Sequence, residues 1–381
     1  MLLAALGCGG DGLEGWFVDL HGRVVDARFL PVEDAEVRFY SADGDPLLTT
    51  TTAADGTWQA PLYGTVLTGN AVMVEFSAPG SAELWAYLDV NLRAPEVVTL
   101  EAGPLQTWET TSRRIPTLRL ADEVDAAVVD VEVVDAVTGL PVSGLAATLQ
   151  RGWNAPVSAP SVAEGVTDAT GRFPAAAYPA GWYTVTVAPT EMYDPSRFPV
   201  FLSGERAVAR GAVSPHVAVG QLRATLLWGV SPFDLDLHLS APLQGGQAGE
   251  DGNGQYHVYA GEPFHPAFDL DGDGYEAAME RTSAVGSGPE TVAIYEAPGP
   301  GEVRLTVVDM DNLAATESTA LSFSGAVLQV WNGADLARFS TISPGEPATS
   351  WQPIVIDAET AVAYEVDTFG NGIDPEDGDA F

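Results

Sequence analysis

Four carboxylates in the last third of the chain fall at the spacing of a cation-binding loop. Asp269-Leu-Asp271-Gly-Asp273-Gly274, with Glu280 further on, spells D-x-D-x-D-G-x5-E. Alternate carboxylates, a glycine for the sharp turn and a bidentate Glu at the end of the loop supply the about six to eight hard oxygen ligands that calcium takes. The flanks differ from a helix–loop–helix calcium site. Pro266 interrupts the segment before the loop, and Glu276 stands where an aliphatic anchor is usual. The residues after it, Tyr275 to Arg281, can form one or two helical turns. The expectation is an isolated calcium loop inserted in a β-domain; the alternative is a solvated acidic loop.

A second acidic group lies upstream in Asp234-Leu-Asp236-Leu-His238-Leu239. Strict alternation sends Leu235, Leu237 and Leu239 to one face of a strand and Asp234, Asp236 and His238 to the other. Neighbours on one face sit roughly 6.5–7 Å apart, and Asp is a poor strand former. A shared hard cation would relieve the repulsion, as a second site or as part of the first. The alternative is a solvated outer face. The chain holds no H-E-x-x-H, G-x-S-x-G or phosphate-binding loop, and its five histidines (His21, His216, His238, His257, His265) never pair at i, i+4. Catalysis is not expected; a metal-dependent hydrolase is the remote alternative.

Charge narrows the partners. Fifty-three acidic residues face 16 basic ones, all Arg, for a net charge of −37. Such a surface repels nucleic acid and anionic membranes. It suits a salty or extracellular medium, with divalent-cation binding reserved for the clusters above. Cys8 is the single cysteine, which excludes an internal disulfide and a cysteine-based zinc site. The start, Leu2-Leu-Ala-Ala-Leu-Gly7-Cys8 followed by Gly9-Gly-Asp-Gly12, resembles the lipobox of bacterial lipoproteins, with Ala5 where Leu is usual. The resemblance implies lipidation at Cys8 and an exported protein held at the bacterial envelope, touching membrane only through its lipid. The alternative is an unstructured N-terminus with an incidental thiol.

The elements behind these residues are strands. Gly 40 and Pro 27 punctuate short runs with period-2 alternation, such as Val185-Thr-Val187 and Val303-Arg-Leu305-Thr-Val307. The fold class is all-β, built of tandem antiparallel β-sandwich domains. An internal repeat supports this. Val24-Val-Asp26, Leu30-Pro31-Val32 and Asp55-Gly56-Thr-Trp58 return as Val133-Val-Asp135, Leu140-Pro141-Val142 and Asp168-Ala-Thr170-Gly171-Arg-Phe173, continuing to Pro179-Ala-Gly181-Trp-Tyr183. Gly56 and Gly171 suit tight turns, Trp58 and Phe173 plug a sandwich end, and Pro31 and Pro141 start or edge a strand.

These motifs resemble the carboxypeptidase regulatory-like domain, a transthyretin-type sandwich without catalytic residues. The D-L-D-L-H-L strand, His257-Val-Tyr259-Ala-Gly261, the Asp loop, Gly288-Pro289-Glu290 and Ser324-Gly-Ala326 resemble the YfaP-like domain, whose activity is unknown. The expected organisation is a signal remnant and tether at 1–13, a first sandwich at 14–102, a linker at 103–126 with room for one strand, a second sandwich at 127–214, a YfaP-like sandwich at 217–368 and an acidic tail at 369–381. The resulting expectation is a calcium-stabilised, non-catalytic binding or adhesion module of the cell surface, facing a polysaccharide or a protein. A structural spacer in a surface assembly is the alternative. An exposed aromatic platform among Trp228, Tyr256, Tyr259, Trp331 and Trp351 would favour binding over spacing.

Overall fold

Alternation becomes burial along nearly every strand. In Glu36–Ser41, Val37 and Phe39 are fully buried while Glu36, Arg38 and Tyr40 are partly exposed. A computed structural model of the chain describes residues 16–63, 71–89, 98–101, 107–123, 127–173, 177–203, 206–243, 254–265, 276–284 and 286–372. Cys8, Asp269, Asp271 and Asp273 lie outside the described residues.

The first sandwich comprises β1 (Trp16–Val25), β2 (Glu36–Ser41), β3 (Pro46–Thr51), β4 (Thr57–Tyr63), β5 (Ala71–Ser77), β6 (Leu84–Asp89), β7 (Val98–Glu101), β8 (Thr107–Arg114) and β9 (Leu118–Arg119). One sheet runs β3-β2-β5-β6; the other runs β4-β1-β8-β7, with β9 beside β1. The segment 103–126, expected as a linker, therefore supplies two strands. β8 and β9 both pair in parallel with β1, completing a sheet edge that would otherwise leave its backbone groups open.

The second sandwich comprises β10 (Ala127–Asp135), β11 (Ala146–Arg151), β12 (Ser161–Val166), β13 (Arg172–Phe173), β14 (Ala177–Tyr178), β15 (Gly181–Val187), β16 (Ser196–Leu202) and β17 (Arg206–Val213). It repeats the plan, with β17 parallel to β10 and a facing sheet β12-β11-β15-β16. The third comprises β18 (Leu222–Leu227), β19 (Leu235–Pro242), β20 (Gln255–Val258), β21 (Phe264–His265), β22 (Ala277–Arg281), β23 (Glu290–Ile294), β24 (Glu302–Asp309), β25 (Val327–Asn332), β26 (Arg338–Thr341), β27 (Ser350–Asp357) and β28 (Val362–Gly370). Its sheets run β21-β22-β23-β18-β25-β26 and β20-β19-β24-β27-β28.

The repeat has one hydrogen-bonding plan in both copies. Thr52 Oγ1 accepts from Ala35 N and donates to Val32 O; Thr167 Oγ1 accepts from Leu145 N and donates to Val142 O. Gly56 (φ +78°) and Gly171 (φ +72°) lie against the β1 and β10 backbones, where an added Cβ would meet Val24 O at 2.4 Å and Val133 O at 2.6 Å. Glycine is required there by sterics and by φ. Trp58 and Phe173 are buried, and Pro31 and Pro141 each form a bridge to the strand before the turn.

Each sandwich has its own core, and the cores meet. Trp153 of the second unit and Phe339 of the third join the first core, edge to face at 5.9 Å. A small cluster of Val134, Ala136, Ala212, Val217, Leu227, Trp331 and Ala337 seals the second unit to the third. Thr167→Val keeps the volume of a buried side chain but removes its donor and acceptor. It is expected to cost about 1–3 kcal/mol by urea unfolding, with Thr167→Ser retaining most of the stability.

Candidate functional site

β19 carries the alternation expected of it. Leu235, Leu237 and Leu239 are fully buried in the third core. The opposite face is covered as well: Asp236 is 7% and His238 5% exposed, so the solvated-face alternative does not describe them. β20 pairs with β19 only from Leu239 onward, which leaves Leu237 N without a strand partner on that side. Glu290, at the start of β23 and 1% exposed, takes this N–H at 2.8 Å with one oxygen and Ser283 N at 2.9 Å with the other. Gly288-Pro289-Glu290 thus delivers a carboxylate that caps an interrupted ladder.

More acids gather at the same end. β24 pairs Asp309 with Leu235 and passes into a single 3-10 turn, Met310–Asn312. Asp309 is fully buried and accepts from Asn312 N and Nδ2. Asp311 turns back to accept from Phe233 N and Asp234 N, tying this turn to the entry of β19. Burial raises the Asp236 carboxyl to about 6, helped by Asp234. Burial raises Glu290 to about 8, with Asp236 and Asp234 adding to it and the two N–H donors opposing it. Asp234 and Asp309 are raised too, by burial and then by Asp311, with Asn312 opposing the rise at Asp309. The cluster favours protons or another cation at each of these groups.

The histidines, unpaired in sequence, pair across strands. His238 Nδ1 and His257 Nε2 are 2.9 Å apart, and the Tyr259 ring stacks on both, at 4.9 and 4.6 Å. Burial, then His257, lowers His238 to about 3, so its ring is neutral at physiological pH. A second buried group flanks the Asp loop. Tyr256 and His265 stack at 4.4 Å. Glu276, 2% exposed, is raised to about 7 by burial and then by Glu296. Glu276 Oε1 and Tyr256 Oη are buried with no hydrogen-bond partner among the described residues.

Glu280 departs from its expected role. The stretch after the loop is a strand, β22, not a helical turn, because Ala277–Arg281 pairs with β23 and sends Ala277 into the core. Glu280 is bound by Arg223 through Nε and Nη2 and by Tyr295 Oη, so both of its oxygens are engaged inside the fold. Among the described residues, no group of three His, Cys, Asp or Glu is arranged to hold a metal ion. The five aromatic candidates form no exposed platform: Trp228, Tyr256, Trp331 and Trp351 are core residues, and Tyr259 is partly exposed. Glu290, His238 and His257 stood in the quoted motifs and Glu276 in the loop pattern, but sequence reasoning missed the Glu290 cap, the His238–His257 contact and the burial of Glu276.

No model of a known protein family matches the chain, and no curated protein matches it. Among solved structures, it is similar to the shaft pilin SpaA of Lactobacillus rhamnosus GG. That match has 12% identity over 54% of this chain and 99% of the pilin, with a TM-score of 0.20. The Bacillus anthracis TIE protein matches at 12% identity over 74% of this chain and 48% of its own, with a TM-score of 0.21. The 5-hydroxyisourate hydrolase of Klebsiella pneumoniae matches at 21% identity over 23% of this chain and 85% of its own, with a TM-score of 0.19. Values this low carry no functional assignment.

A buried carboxyl whose pKa is raised on folding binds protons more tightly in the native state. Its stabilising contribution is complete below the ordinary Glu value of about 4.5 and is lost as pH rises through about 8. Thermal stability measured without divalent cations is therefore expected to fall between pH 5 and 8. Glu290→Gln flattens that slope. It also lowers stability by about 1–3 kcal/mol at pH 5, because its amide NH2 faces one of the two backbone donors.

Proposed function

We propose that the chain is a non-catalytic, rigid module of an exported bacterial surface protein, acting through binding or spacing rather than chemistry. The observation that carries this reading is the set of buried hydrogen bonds across all three sandwiches. Trp153 Nε1 donates to Thr341 Oγ1, Ser343 Oγ accepts from Thr117 N, Thr291 Oγ1 donates to Ala136 O, and the Gln329 amide reaches Ser196 and Ala212. Units joined this way transmit force and hold surfaces at fixed angles. The first two sandwiches fit the carboxypeptidase regulatory-like pattern, with Thr52 and Thr167 in equivalent roles, and the third fits the YfaP-like motif set. Cys8 serves as the lipid anchor in this reading. No helix among the described residues is long and apolar enough to cross a membrane.

Calcium belongs to the same proposal. Asp269, Asp271 and Asp273 supply the ligands by their spacing. Glu276 is the better fourth carboxylate than Glu280, since its Oε1 is buried without a partner among the described residues whereas Glu280 is bound to Arg223. Asp234 and Asp236 form a separate acidic position on β19. At free calcium near ten times Kd, linkage adds about 1.4 kcal/mol, a modest rise in Tm.

Two measurements test this. Scanning calorimetry of the whole chain should give one cooperative transition; three independent transitions would show beads on a string and remove the rigid module. Calcium at about 10 mM, roughly ten times the weakest Kd of extracellular modules, should raise Tm in the wild type and in Glu280→Gln, but not in Asp271→Ala. Glu280→Gln should instead lower Tm with and without calcium. An unchanged wild-type Tm would leave the Asp loop a solvated loop.

A further inference from the structure

A cleft of about 740 Å³ opens where the three sandwiches meet, and all three contribute to its walls. Its volume lies in the range of about 300–1,000 Å³ typical of small-molecule sites. Aromatic rings stand among its lining residues. Trp182 and Phe201 pack at 4.9 Å on one side, and Phe29 meets Phe323 edge to face at 4.9 Å on the other. Phe29 holds a left-handed backbone (φ 65°), unusual for a bulky residue, and this places its ring between the first sandwich and the third. Phe323 is 47% exposed, a large apolar surface at the cleft.

Between these rings sits Arg119. Its guanidinium carbon is 3.8 Å from the Phe201 centroid and 4.8 Å from that of Phe29. Such stacking fixes a guanidinium by its faces and leaves its N–H edge available. Among the described residues no hydrogen bond or carboxylate engages this side chain, although the chain carries 53 acids. The other Arg of the wall is occupied: Arg210 donates to Ser287 O and Gly288 O and lies 3.8 Å from Glu132. Burial alone, with no carboxylate opposing it, lowers Arg119 to about 10. A partly desolvated cation with its donors unmatched is costly to maintain, and an oxyanion bound between apolar walls would match it.

We propose that this cleft binds a small organic carboxylate with a flat apolar body, the carboxylate paired to the Arg119 guanidinium and the body lying against Phe201, Trp182 and Phe323. The site names a ligand class for the binding-module reading and is independent of calcium. Its failure would leave the rigid spacer standing, because calorimetry of the whole chain tests that separately.

The experiment is a titration of the full chain with 2-naphthylacetate and, in parallel, its neutral counterpart 2-naphthylethanol, read by calorimetry. The acid should bind more tightly than the alcohol in the wild type. Arg119→Gln should weaken the acid by about 10- to 100-fold, the range for a hydrogen bond to a charged group, and leave the alcohol nearly unchanged. Phe323→Ala, at an exposed position that folding tolerates, should weaken both. A hydrophobic tripeptide with a free C-terminus, run beside its amide, separates the two sources of such a carboxylate. Tighter binding of the peptide acid assigns a chain terminus, and binding of naphthylacetate alone assigns a free acid. Equal binding of acid and alcohol in the wild type, or equal acid binding in Arg119→Gln, would overturn the assignment. So would an absence of binding by all four probes.

Discussion

The arrangement of the molecule rests on the rule that a buried hydrogen-bonding group must find a partner. Gln329 shows it best. It is fully buried on β25; its Oε1 accepts Ala212 N, and its Nε2 donates to Ser196 Oγ, Arg197 O and Ala212 O. Every partner belongs to the second sandwich. A shift of one unit against the other would strand these groups at about 1–3 kcal/mol each. Trp331 Nε1, donating to Pro195 O, imposes the same condition beside it. The angle between the sandwiches is therefore specified by polar geometry, and the apolar seal around Leu227 and Trp331 fills in around it. The three-way cleft exists because those angles are fixed.

The same rule explains how so acidic a chain uses its few cations. Arg223 donates to Ser214 Oγ, Pro215 O and Glu280; Arg281 reaches Thr138 O; Arg114 approaches Glu346 and Asp367. These are junction contacts. A guanidinium offers five donors in a fixed plane and satisfies several carbonyls at once, which an ammonium does less well. With no Lys present, every basic residue of the chain is of this kind. Arg119 is the contrasting case, held by ring faces rather than by acceptors.

Much of this was legible in the sequence. Period-2 runs identified the strands, and the Asp-Gly and Thr-Gly repeats located the turns that Gly56 and Gly171 occupy. Alternation also separated the Leu235, Leu237 and Leu239 face from the Asp236 and His238 face. It was silent on what covers the second face, because burial there comes from distant chain: His257 from β20, and Glu290 against Leu237 N. The supposed linker was credited with one strand at most and holds two for a similar reason, since β8 and β9 are ordered by pairing with β1, more than 80 residues earlier in the register Phe17 to Thr110. Of the aromatic candidates, Trp228, Tyr256 and Trp351 belong to the core of their own sandwich, and Trp331 is buried against the second.

Glu280 shows how a local motif can be overruled by the fold. The spacing D-x-D-x-D-G-x5-E describes a loop closing on itself, yet its last residue lies on a strand whose register is set by β23. In that register Glu280 meets Arg223, and the same guanidinium holds Ser214 and Pro215 at the passage from the second sandwich to the third. Drawing Glu280 to a cation would leave Arg223 partly unmatched inside the structure, and the cost would fall on that joint rather than on the loop. A cation bound with Glu276 carries no such penalty, since Glu276 has an oxygen buried without a partner among the described residues and a raised pKa that marks its preference for neutralisation. The two acids differ by four positions in sequence. One is committed to architecture, and the other has an oxygen that no described residue matches.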